Sequence, residues 1–166
     1  MIELVKLIPL CMEYYPKKKM AHALRVAEYA YKAAKDITLI SPYDAYLVGL
    51  AHDLIEDTDC PQDKLQEILG TDLFSAVVIL TKDDKDDYDE YIHSILDSGD
   101  KLAILVKRAD MKDHFMQTET LTEKLRDKYL PVVGLFLWEN FWKMSRIIKT
   151  VVNKNHRFWF FIKNIL

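Results

Sequence analysis

The sequence predicts an all-α fold, a single compact multi-helix bundle, and three observations carry that expectation. Apolar residues recur at helical spacing along most of the chain, as at Ala23, Val26, Ala27, Ala30 and Ala34. Only four glycines and five prolines occur among 166 residues, too few for a loop-rich or disordered chain. No stretch shows the period-two alternation of a half-buried strand. At this length one domain with one core is expected. It spans 1–166, with its core over about 18–135 and C-terminal helices over 136–166.

The elements follow in order. The opening helix covers 4–15 and stops near Pro16. The next covers 18–35 and carries the apolar period just named. Ser41-Pro42-Tyr43-Asp44 starts a third helix, with Ser41 as N-cap, Pro42 at the first position and an acid in the first turn. That helix runs into His52 and Asp53. Asp59-Cys60-Pro61-Gln62-Asp63 starts another, which ends at Gly70, and Thr71 opens its successor through Leu80. Residues 83–87 read as a solvated acidic loop, and 86–98 as a helix closed by Gly99. Asp100 caps a helix through His114. Thr122 caps a long one that Pro131 must kink or restart, and 138–152 continues the helical pattern.

Composition excludes several classes. The formal net charge of -3 gives no bias toward nucleic acid or an anionic membrane. Cys11 and Cys60 lack CxxC spacing and read as reduced thiols of a cytoplasmic protein. The N-terminus carries Glu3 early and has no long apolar core, so no signal peptide is expected. The longest apolar run, 129–138, is too short for a bilayer, which takes roughly 20 residues, so no transmembrane segment is expected. The tail His156-Arg157-Phe158-Trp159-Phe160-Phe161-Ile162 is unusually aromatic. It either packs back onto the domain, forms a homo-oligomer interface or touches a membrane surface.

The chemistry concentrates in Gly49-Leu50-Ala51-His52-Asp53-Leu54-Ile55-Glu56-Asp57-Thr58. An apolar helix delivers an adjacent His and Asp, with a Glu and an Asp one turn later. Neighbours on a helix diverge by about 100°, which suits one metal ion seated beside the helix end. The alternative is a core His bonded to a local carboxylate. His22 lies on the helix over 18–35; taken alone it also reads as an exposed helix His. Asp110 ends the apolar run Leu102-Ala103-Ile104-Leu105-Val106-Lys107-Arg108-Ala109. A buried carboxylate needs a cation nearby, either a metal or the salt-bridging Lys107 or Arg108. Two imidazoles and two carboxylates suit Mn²⁺, Fe²⁺, Co²⁺, Ni²⁺ or Zn²⁺ better than a thiolate-seeking ion.

The order His22, His52-Asp53, Asp110 resembles the H…HD…D signature of the HD-domain phosphohydrolase superfamily. His52-Asp53-Leu54-Ile55-Glu56-Asp57-Thr58 is similar to the HDxxEDT motif of its alarmone-hydrolase branch, which includes small stand-alone hydrolases. Leu80-Thr81-Lys82 resembles that branch's VTK segment, and Val106-Lys107-Arg108-Ala109-Asp110 its (I/V)KxAD segment. The resemblance covers roughly 18–135. It implies one divalent ion, Mn²⁺ first, on His22, His52, Asp53 and Asp110, and water activation with proton transfer by Glu56 and Asp57. On a continuing helix both acids would lie beside the metal-bound water. The alternative, a solvated acid pair, puts uncompensated negative charge at a helix C-terminus. Lys82, Lys107 and His114 are candidate phosphate or base contacts. Tyr129 resembles a tyrosine near the relatives' substrate and reads equally as a core residue. The chain departs from the pattern at Ala23, where relatives carry Pro, and at His114, where they often carry Asn. Lys17, Lys18 and Lys19 are the cations nearest the position of an upstream Arg.

The resemblance therefore implies an enzyme: a metal-dependent phosphohydrolase acting on a small-molecule nucleotide, foremost a 3′-pyrophosphohydrolase of (p)ppGpp-type guanosine alarmones. The alternatives are a nucleotidase acting on nucleoside monophosphates, or a non-catalytic regulatory module that binds a metal and a nucleotide.

Overall fold

The computed structural model describes residues 2–83, 85, 87–117, 122, 123, 125, 127–129 and 132. Among these there is no strand, and seven helices follow one another: α1 (Ile2–Tyr14), α2 (Lys17–Ala34), α3 (Pro42–Ala51), α4 (Leu54–Asp57), α5 (Gln62–Leu80), α6 (Tyr88–Asp97) and α7 (Lys101–Met116). The chain divides into two compact units, Met1–Asp113 and His114–Leu166. The fold is all-α, as the periodicity predicts. No helix among the described residues is long and apolar enough to cross a membrane.

Local chemistry sets the helix boundaries. The Ser41 hydroxyl accepts the Asp44 N–H at 3.3 Å, with Pro42 opening α3. Asp87 Oδ1 accepts from the N–H groups of Asp89 at 2.9 Å and Glu90 at 3.4 Å. Asp100 Oδ1 accepts from Leu102 and Ala103, both at 2.9 Å. Each cap satisfies N–H groups that the helix itself leaves open. Gly70, at φ 75° and ψ 169°, breaks α5 internally, so the two helices expected there meet at a left-handed residue that costs glycine little. In the second unit Thr122 Oγ1 accepts the Leu125 N–H at 3.2 Å, as an N-cap should. The expected kink at Pro131, the helix over 138–152 and the aromatic tail lie outside the described residues.

The first unit's core includes the fully buried Leu7, Leu47, Leu50, Leu54, Leu65, Ile92 and Met111. Its most extensive helix pair is α2 with α3. The pairing is close because the facing residues are small. Ala23, Ala27 and Ala30 are buried on α2, and a Cβ placed on Gly49 would lie 2.7 Å from the Ala27 Cα. This approach sets α2 and α3 beside each other at the level of His22 and His52, whose ring centroids are 5.2 Å apart.

One expectation is altered. The helix through His52 does not run straight on into Glu56. It stops at Ala51, and Asp53 sits at φ −101°, ψ 1° before α4 begins. The hydrogen bonds explain the break. The Gly49 carbonyl accepts the His52 imidazole Nδ1 at 2.8 Å, and the Asp53 N–H is given to the Tyr15 hydroxyl at 3.2 Å.

Candidate metal centre

The four sequence-predicted ligands come from three helical segments and converge. His22 Nε2 lies 3.2 Å from Asp110 Oδ1 and 3.8 Å from Asp53 Oδ2. His52 Nε2 lies 3.1 Å from Asp53 Oδ1 and 3.9 Å from Asp110 Oδ1. One potential ligand atom each from His22, His52 and Asp53 falls within 4.8 Å of the others. His52 and Asp110 are 3 % and 4 % exposed, so neither relies on water for its polar atoms.

The arrangement fits a divalent cation. The His52 Nδ1 faces a carbonyl, which only accepts, so a proton sits there, and in the neutral ring Nε2 carries the lone pair. That Nε2 is buried and makes no hydrogen bond, although a carboxylate oxygen stands 3.1 Å away. Next to that carboxylate the nitrogen calls for positive charge, either a ring proton or a cation between them. The electrostatics agree. Burial alone would lower both imidazole pKa values, but the hydrogen bonds and charges of Asp110 and Asp113 raise His22 to about 10, and Asp53 with Asp110 raises His52. Burial would raise the Asp53 carboxyl; the neighbouring His52 brings it down to about 2. A mixed nitrogen and oxygen donor set of this kind suits a first-row divalent ion.

Each buried carboxylate also has its own fixed cation. Lys107 Nζ bonds Asp110 Oδ2 at 2.9 Å, leaving Oδ1 toward the histidines. The Lys107 ammonium also lies 5.1 Å from the Tyr91 ring centroid. Lys107, expected as a phosphate or base contact, is thus nine-tenths buried and engaged with the Asp110 carboxylate. Asp113 accepts from Arg25 Nε at 2.7 Å and Arg25 Nη2 at 2.8 Å, and pairs with His22 Nδ1 at 2.7 Å. Sequence reasoning missed Arg25 and Asp113 as site residues. A signal was available: each lies three residues after a sequence-predicted ligand, Arg25 after His22 and Asp113 after Asp110, and such pairs share a helix face.

The two acids of the HDxxEDT segment part company. Glu56 Oε2 accepts the Lys82 backbone N–H at 2.9 Å. Burial raises the Glu56 pKa, the Lys82 hydrogen bond opposes this, and the Asp53 charge adds to the rise. Asp57 instead forms an ion pair with Lys19, one of the three cations noted upstream of His22. A cleft of about 470 Å³ opens beside Glu56, lined also by Ile55, Gln62, Val78, Thr81, Lys82 and Asp83. In the second unit the His114 and Tyr129 rings stack, with centroids 5.1 Å apart and planes at 27°.

The fold resembles that of a metazoan ortholog of SpoT that hydrolyzes ppGpp and plays a role in starvation responses. The TM-score is 0.55 at 19 % identity, over 79 % of this chain and 85 % of that one. No family model and no curated protein matches the chain. At this identity the likeness concerns the fold, and the chemistry must be argued from the residues.

Proposed function

We propose that this chain is a metal-dependent phosphohydrolase acting on a nucleotide, with a guanosine 3′-pyrophosphate alarmone as the favoured substrate. The observation that carries the reading is the buried His52 Nε2, without a hydrogen bond, among His22, Asp53 and Asp110. The fold it shares with a ppGpp-hydrolyzing protein supports the choice of nucleotide. When bound at His22, His52, Asp53 and Asp110, a divalent ion, Mn²⁺ first, supplies Lewis-acid polarisation of a phosphoryl oxygen and a more acidic water.

The chain's own groups do the rest. Glu56 takes a proton from the attacking water, for which a carboxylate with a raised pKa is suited. The water oxygen bonds to the phosphorus attached to the ribose 3′ oxygen, and the bond between them breaks. Pyrophosphate leaves, and the proton passes from Glu56 to the 3′ oxygen. Asp57, paired with Lys19, shares in the proton transfer. Lys82 lines the cleft beside Glu56 and meets the substrate phosphates. Lys107 serves through Asp110, which its ammonium already holds.

The test is a nucleotide panel against several divalent ions, with phosphate and pyrophosphate read separately. Pyrophosphate release from a guanosine 3′-pyrophosphate is expected. Phosphate release from monophosphates would reassign the chain as a nucleotidase. Metal uptake with no turnover on any substrate would make it a binding module.

A further inference from the structure

The two histidines are oriented by different means, and His22 is the unusual one. A residue distant in the chain anchors its ring. Its Nδ1 is met from the far end of the first unit by Asp113, 1 % exposed, at 2.7 Å. Asp113 is in turn gripped through both oxygens by Arg25, one turn along α2 from His22. The carboxylate is thereby shared by two donors on one helix while it stands on another.

We propose that Arg25 and Asp113 form a positioning relay for His22, which aims its Nε2 at the cation site and keeps Asp113 itself out of the ligand set. The inference rests on the reading of His22, His52, Asp53 and Asp110 as a metal centre. Three features carry it. A carboxylate on Nδ1 requires the ring proton there, which leaves Nε2 as the donor atom toward Asp53 and Asp110. The planar Arg25 fork occupies Oδ1 and Oδ2 together, a geometry a lysine could not reproduce. Both Asp113 oxygens are then engaged, so a third carboxylate close to the cluster is not available to bind the ion. The Arg25 charge also offsets that of Asp113, so the relay adds orientation without adding net charge to the site.

The experiment uses the full chain and measures Mn²⁺ affinity by chelator competition, together with the visible absorption spectrum of the Co²⁺-loaded protein. Asp113→Asn keeps the shape and exchanges an oxygen for a poorer partner. It is expected to weaken Mn²⁺ binding by about 10–100-fold, the usual scale for a group that orients a ligand, and to shift the Co²⁺ bands. In a His22→Ala background the same substitution should have little further effect, because the relay has nothing left to aim. The Arg25 side chain is 38 % exposed, so Arg25→Gln is expected to fold even if Asp113→Asn does not. It should weaken binding in the same direction, and Arg25→Lys should rescue it poorly. If wild type binds the ion but the Asp113 and Arg25 variants keep its affinity and spectrum, the relay is overturned and the metal centre stands. Equal weakening with and without His22 also overturns it, as that marks a general loss of structure. Failure of wild type to take up Mn²⁺ or Co²⁺ overturns the metal centre and the relay with it.

Discussion

His52 and His22 face each other across the α2–α3 seam, yet they are secured at opposite ranges of the chain. His52 is held by the carbonyl of Gly49, three residues back on its own helix. His22 is held by Asp113, 91 residues away. The first device is made as soon as α3 forms. The second exists only when α2 and α7 have met. A local anchor makes His52 insensitive to distant change, while a tertiary anchor makes His22 a reporter of how well the first unit is assembled. The cluster therefore depends on both the helix–helix approach and the residues at its centre.

The largest effect expected is from the locally anchored side. His52→Ala removes the buried, uncommitted nitrogen, and Asp53→Ala removes its facing carboxylate. Either should abolish stoichiometric metal uptake, and with it turnover, as read by elemental analysis of purified protein. If both variants hold one equivalent of ion, the centre is elsewhere and the comparison of the two histidines loses its meaning.

Next in size is Glu56→Gln, which lies beyond the cluster. It should keep metal and fold while turnover falls about 10²–10⁴-fold, the usual contribution of a positioned acid–base group. Because burial and the Asp53 charge raise the Glu56 pKa, the acid limb of the wild-type pH–rate profile should sit above the ordinary glutamate range. A general base must be deprotonated to act, so activity rises with pH through that limb. Its absence in an otherwise active wild type would remove Glu56 from proton transfer.

A third prediction attacks the seam that both histidines share. In Gly49→Ala two effects compete. Alanine is favoured over glycine in a helix by up to about 1 kcal/mol. The new Cβ, however, would stand 2.7 Å from the Ala27 Cα, a backbone atom that can yield only if α2 and α3 separate. Overpacking of this kind costs about 1–3 kcal/mol. Net destabilisation in urea, with weaker metal binding, is expected. An unchanged or higher stability would show that the helices can separate cheaply, and that the approach is not what pairs the rings.

Of the proposed ligands, His52-Asp53 and Asp110 drew attention in the sequence because each interrupts an apolar helix, whereas His22 did not. His52-Asp53 closes one such run and Asp110 another, and a polar group at the end of a buried stripe needs a reason to be there. Helix starts at Ser41 and Asp100 were legible for the same local reason: a capping side chain and the N–H groups it serves are neighbours in the chain. The break at Asp53 was not legible, since nothing in Leu54-Ile55-Glu56-Asp57 opposes a helix. It arises where the His52 ring takes the Gly49 carbonyl and Tyr15, from α1's end, receives the Asp53 N–H. The Arg25–Asp113–His22 contact was hidden in the same way. Spacing puts Arg25 on the His22 face and Asp113 on the Asp110 face, but only packing of α2 on α7 makes those faces meet.

The smallest effect is expected where the break sends Asp57. Had α3 continued, Glu56 and Asp57 would have pointed to the same ion; instead Glu56 turns to Lys82 and Asp57 to Lys19. The Lys19–Asp57 pair is partly exposed, so solvent screens it and its contribution to stability should lie within about 0–1 kcal/mol. Lys19→Gln should accordingly change the urea midpoint little, and less still in high salt. Asp57→Asn is the sharper probe. If the two acids share proton transfer unequally, its loss of turnover should fall short of the roughly 10²-fold floor expected for Glu56→Gln. A loss as large as that of Glu56→Gln, with metal retained, would mean that Asp57 leaves Lys19 during turnover and works beside Glu56. Lys19→Gln would then raise activity by freeing the carboxylate. If Lys19 only holds Asp57 in place at the surface, the same substitution leaves turnover unchanged. The direction of that one change in rate therefore decides whether the ion pair restrains a catalytic acid or simply ties α4 to the first turn of α2.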